Sequence, residues 1–198
     1  MKKNQRTVEK SAEIEGVGLF SGLKGRLKVG PAPAHSGITF IRVDLPGRPR
    51  LPVTPDTVAS KFRRSAVSGE NAEIETIEHM MSAIAGLELD NLDIEVDAPE
   101  LPNVDGSSRP FVDLLRSAGI VDQAEPKKIH VVREPITVSD NEASIVALPR
   151  DGGLTVSYTM NYPNTAIGQQ TRALQGPGND VQTGRAGVSR VLRGRDPL

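Results

Sequence analysis

Cysteine and tryptophan are absent from all 198 residues, and aromatic residues make up only 3% of the chain. Without cysteine there can be no disulfide and no thiolate metal site, and the composition fits a reducing cytoplasm. With so few rings, any core must be built from Val, Ile, Leu and Ala. No apolar run approaches the roughly 20 residues needed to cross a bilayer, so no membrane span is expected. The basic start, Met1 to Arg6, is not followed by an apolar run and is not read as a secretory signal. A net charge of −1 argues against general nucleic-acid binding. That charge is unevenly spread, because residues 172–198 hold five Arg against Asp180 and Asp196.

What is present reads as α+β. Arg6 to Glu15 has the patterning of one extended strand, and Gly16-Val17-Gly18-Leu19-Phe20-Ser21-Gly22 packs three glycines into seven residues, as a turn or binding loop would. Leu27-Lys28-Val29 and Ile38 to Val43 alternate like half-buried strands, and the proline-rich stretch Pro46 to Pro55 reads as loop. Ile77, Met80, Met81 and Ile84 recur at the spacing of one helical face, with Thr76 placed to cap the start and Gly86 to end it. Asp90 to Val96 alternates as a strand that is acidic on its wet side. A second helix is expected from Pro110, capped by Ser108, with the stripe Phe111, Leu114, Leu115 and Ala118, and ended by Gly119.

These elements make a layered unit with both helices on one sheet face, a two-layer β-α-α-β domain over residues 1–125. The polar segment Asp122 to Lys128 marks the boundary. Residues 126–171 then read as strands only, at Ile129–Val132, Ile136–Val138, Ala143–Leu148 and Leu154–Tyr158, with turns at Asp140-Asn141 and Asp151-Gly152-Gly153. This is an incomplete second domain of similar type. Residues 172–198, rich in Gly, Pro and Arg, read as an aberrant, disordered tail.

The chemistry-bearing pair is Glu78-His79, on the first turn of the first expected helix. His79 lies about 200° around the helix from Ile77, off the apolar stripe, so core packing does not explain it. A glutamate in a first turn and a surface histidine are also ordinary, and one helix does not make a zinc site.

Several segments occur together in one order: the glycine-rich loop, Pro31-Ala32-Pro33, Thr76 to Asn91, and Pro99-Glu100-Leu101-Pro102-Asn103-Val104-Asp105-Gly106-Ser107-Ser108-Arg109-Pro110-Phe111-Val112. Jointly they resemble the UDP-3-O-acyl-N-acetylglucosamine deacetylase (LpxC) family, the zinc enzymes of lipid A biosynthesis. Ile167-Gly168-Gln169-Gln170 is similar to a short motif of that family's second domain, and the likeness covers roughly residues 5–171. The resemblance implies two facing β-α-α-β domains with the active site between them. It implies His79 as a zinc ligand, Glu78 as the general base, and Asp105 as a supporting residue, although Asp-Gly-Ser is equally an ordinary turn. The implied substrate is UDP-3-O-acyl-N-acetylglucosamine, which loses acetate in the cytoplasm.

Two departures accompany the likeness. Phe20 stands where the family commonly has His. The family's other zinc ligands, a His and an Asp, and its general-acid His belong to the later second domain, past the end of this sequence. His35, in a turn, and His130, in a strand, lie outside the family motifs and are not read as substitutes. The expectation is therefore a chain truncated or frameshifted after about Thr171, with weak zinc binding and little or no deacetylase activity. The alternative is a non-catalytic α+β module that binds a nucleotide-sugar, a protein or RNA.

Overall fold

The computed structural model describes residues 3–140, 143–151 and 154–175. Its first lobe is organised around a five-stranded sheet. β1 (Asn4–Val8) precedes the strands that form it: β2 (Ala12–Val17), β3 (Lys24–Pro31), β4 (Ile38–Arg42) and β5 (Arg50–Pro52). A three-stranded antiparallel meander follows, made by β6 (Val58–Lys61), β7 (Arg64–Ser68) and β8 (Glu73–Glu75). Helix α1 (Glu78–Gly86), strand β9 (Leu92–Val96), helix α2 (Arg109–Ser117) and strand β10 (Ile120–Pro126) complete the lobe. The main sheet runs β2-β3-β9-β4-β5, antiparallel throughout except where β4 lies parallel to β9.

The alternation read from the sequence sets the layers. Leu27 and Val29 of β3, Phe40 of β4, and Leu92, Ile94 and Val96 of β9 all point inward, completely buried. Against them pack Met80, Ala83 and Ile84 of α1 and Phe111, Leu114 and Leu115 of α2. The two helices touch each other over the sheet. The α+β, two-layer expectation holds, and all four residues of the α2 stripe are buried. On the opposite sheet face, Arg26, Lys28 and Arg50 pair with Asp97, Glu95 and Asp93.

Several local expectations are corrected. Arg6 to Glu15 is not one strand: the chain bends at Glu9-Lys10 and divides between β1 and β2. The segment read as a linker is largely β10, which pairs antiparallel with β1, Val8 opposite Ile120. Its polarity fits an edge strand with a wet face. The proline-rich stretch contains β5, and the meander was not foreseen. Gly86 is the last residue of α1, but the left-handed turn beyond it falls on Glu88, at φ 55°.

Beyond Pro126 the strands form two hairpins. β11 (Ile136–Asp140) pairs with β12 (Ala143–Ala147), and β13 (Thr155–Tyr162) with β14 (Gly168–Gln175). Ile129–Val132 is not a strand, so His130 does not alternate within one; it is exposed. Regular structure continues past Thr171 to Gln175, correcting the start of the expected tail, and residues 176–198 lie outside the described residues. Among the described residues, no helix is long and apolar enough to cross a membrane.

Candidate functional site

The approach to α1 is under backbone strain. Thr76 precedes it at φ 60°, left-handed for a β-branched residue, which costs on the order of 1–3 kcal/mol. Thr76 does not cap the helix. Ile77 occupies the N-cap position, and the Thr76 hydroxyl instead donates to Glu100 Oε1 at 2.9 Å. Glu78 and His79 follow as the first two helical residues, both half-buried, with His79 Nδ1 buried. Glu78 Oε2 accepts the Ser65 N–H at 3.1 Å, which ties the carboxylate to β7.

Glu100, within the segment Pro99 to Val112, is not among the expected site residues. It is 2% exposed. Besides Thr76, its carboxylate accepts the Ser21 N–H at 2.7 Å and the Phe20 N–H at 3.1 Å. Burial pushes Glu100 up, but the donors of Ser21, Phe20 and Thr76 together outweigh it and hold the carboxyl below the usual glutamate range. Neighbouring N–H groups in a glycine-rich loop form an anion-binding nest, and here the anion is the protein's own side chain. The loop closes on itself through Gly22 N–H to Gly18 O at 3.1 Å, with Gly22 at φ 66°. One sequence signal pointed to Glu100: a carboxylate set between Pro99 and Leu101-Pro102, where a buried strap would otherwise be apolar.

A second contact joins the loop to the meander, at β7 and β8. The Arg64 guanidinium lies 4.2 Å from the Phe20 ring centroid, and its Nε donates to Glu75 at 2.7 Å. Phe20 thus offers a ring face to a cation and its N–H to Glu100. The Asp105 segment also reaches this end of the sheet, since Asn103 N–H donates to Val17 O at 3.0 Å. Asp105 itself is exposed, and its Oδ1 accepts the N–H and hydroxyl of Ser107, both at 2.8 Å. That is an Asx turn leading into α2. The structure therefore brings Glu78, His79, the glycine-rich loop and Glu100 into one connected set, with Asp105 on an adjoining loop.

His35 is held elsewhere, with Nδ1 2.8 Å from Gln5 Nε2 and Nε2 3.4 Å from Glu125. Among the described residues, no group of three or more His, Cys, Asp or Glu converges to hold a metal ion. The donor set present does not complete a zinc site. An open cleft of about 420 Å³ lies on the outer sheet face, lined by Lys28, Arg48, Arg50, Asp93 and Glu95, whose charges are paired across it.

The family model for UDP-3-O-acyl N-acetylglycosamine deacetylase matches residues 5–183, extending twelve residues beyond Thr171. A relative from Bdellovibrio bacteriovorus, named UDP-3-O-acyl-N-acetylglucosamine deacetylase, is 40% identical over 185 residues, covering 91% of this chain and 61% of its own length. One from Shewanella baltica with the same name is 43% identical over 169 residues, covering 84% and 55%. The chain thus spans little more than half the length of these curated relatives.

Proposed function

Because the chain belongs to the UDP-3-O-acyl N-acetylglycosamine deacetylase family, we propose that it carries the Glu-His part of a centre that deacetylates UDP-3-O-acyl-N-acetylglucosamine in lipid A biosynthesis. The observation that carries this reading is that Glu78 and His79 stand on the first turn of a helix entered through the strained Thr76, which is joined through Glu100 to the glycine-rich loop. In this reading Glu78 takes a proton from the water that attacks the acetyl carbonyl. The carbon–nitrogen bond then breaks, acetate departs, and the sugar nitrogen gains a proton to become an amine. Ser65 N–H fixes the direction of the Glu78 carboxylate. His79 would supply one ligand to zinc, whose chemistry would be to polarise the acetyl carbonyl and acidify the attacking water. Asp105 supports the site through its loop, and a cysteine-free chain suits a cytoplasmic setting.

Among the described residues, no group of three or more metal ligands converges to hold zinc. The purified chain is expected to retain zinc substoichiometrically after dialysis and to turn over slowly. In an acetate-release assay with the UDP-sugar and added zinc, Glu78→Gln should lower the rate that the chain supports by about 10²–10⁴-fold. An unchanged rate in that variant would remove Glu78 from the mechanism. Binding of the UDP-sugar with no acetate released would favour a non-catalytic module.

A further inference from the structure

We propose that Glu100 is a positioning residue of the Glu78–His79 site, its carboxylate fastening the glycine-rich loop to the strained residue from which α1 departs. The inference rests on reading Glu78 and His79 as the reactive pair. Three donors from two separate segments meet on one buried carboxylate: Phe20 N–H and Ser21 N–H from the loop, and the Thr76 hydroxyl from the entry to α1. Backbone bonds clamp the same strap, with Glu75 N–H to Pro99 O at 2.9 Å and Leu101 N–H to Glu75 O at 3.1 Å. Gly18 leaves room for the carboxylate, since a Cβ there would lie 2.9 Å from Glu100 Cδ.

A left-handed Thr persists only where its surroundings over-determine it, and the bond to Glu100 is the side-chain contact that holds it. Two residues later the chain places Glu78. A small rotation at Thr76 therefore re-aims the first turn of α1, and with it both reactive side chains. Glutamine removes the negative charge that all three donors share and leaves one acceptor oxygen where the carboxylate has two. The bonds of Phe20, Ser21 and Thr76 therefore cannot all keep their present form.

The test uses the full chain in solution by nuclear magnetic resonance, without metal. In Glu100→Gln, amide exchange at Phe20 and Ser21 should accelerate by at least about tenfold, and the His79 ring resonance should shift. Core amides at Leu27 and Ile94 should stay protected. Thr76→Val breaks only the link to the helix, so the His79 resonance should move while Phe20 and Ser21 keep their protection. Thr76→Ser restores the hydroxyl and should return the ring to its original position. An unmoved His79 resonance in both Glu100→Gln and Thr76→Val would overturn the proposal, leaving Glu100 as a brace for the loop alone. Should Glu100→Gln lose core protection, the Thr76 pair decides the matter. Because these signals need neither zinc nor turnover, a failed deacetylase assay would leave this result standing.

Discussion

Glu100 and Gly18 depend on each other at the scale of single residues. The carboxylate is held by donors on opposite sides, so it cannot swing away from a new methyl group as a surface glutamate would. Gly18→Ala would press that methyl onto both Ser21 Oγ and the Glu100 carboxylate. A loss of about 1–3 kcal/mol is expected in urea denaturation, the usual range for overpacking. A change within about 0.5 kcal/mol would mean that the loop opens freely. Sequence reading recognised three glycines as a tight or binding loop, and the density did mark a close approach. It could not find the partner, because Glu100 lies about 80 residues away and no periodicity links distant segments. Glu78 and His79 were legible because they broke an otherwise regular helical stripe.

Helix ends behave differently at the scale of elements. The α2 stripe was readable residue by residue, since 3.6-residue spacing is imposed by the same burial that the structure shows. The caps were not. Ser108 stands at the N-cap of α2, yet its buried hydroxyl makes no capping bond, while the neighbouring Ser107 Oγ accepts the Arg109 N–H at 3.2 Å. Position alone suggested a cap, but two adjacent serines compete for the role and only geometry chooses between them. Ser108→Ala should therefore cost less than about 0.5 kcal/mol, and can stabilise by removing an unsatisfied hydroxyl, where an ordinary cap is worth about 1 kcal/mol. Urea midpoints of the two proteins decide it, and a loss near the full cap value would refute the assignment. The meander β6–β8 was missed for a related reason: its strands are only three to five residues long and scarcely alternate.

For the whole molecule, acid is the expected weakness. Asp44 is held below its usual range first by its hydrogen bond from Arg42, and Glu73 first by its bond from Lys61. Glu100 is depressed as well, against its burial. Each depressed carboxylate contributes stability that is fully present above its unfolded pKa, near 4, and is lost as pH falls through the lower folded value. The urea midpoint should thus be flat near neutrality and drop as pH falls below about 4.5. A midpoint that rises on acidification would contradict the sign. The two lobes also differ in substance. The first buries a continuous core, whereas beyond Pro126 Ile129, Val131, Val138, Ile145 and Leu148 are more than 60% exposed. Alternation told strands from helices in that region but could not tell which faces would find cover.

The pairing of β1 with β10 carries a consequence for biosynthesis. β1 emerges from the ribosome well before its hydrogen-bonding mate, which spans residues 120–126. Until that late segment is translated, the edge of the nascent lobe stays unmatched and its polar backbone must be satisfied by water or by a chaperone. Completion of the first lobe is thus timed by the synthesis of its final strand, however early α1 has formed.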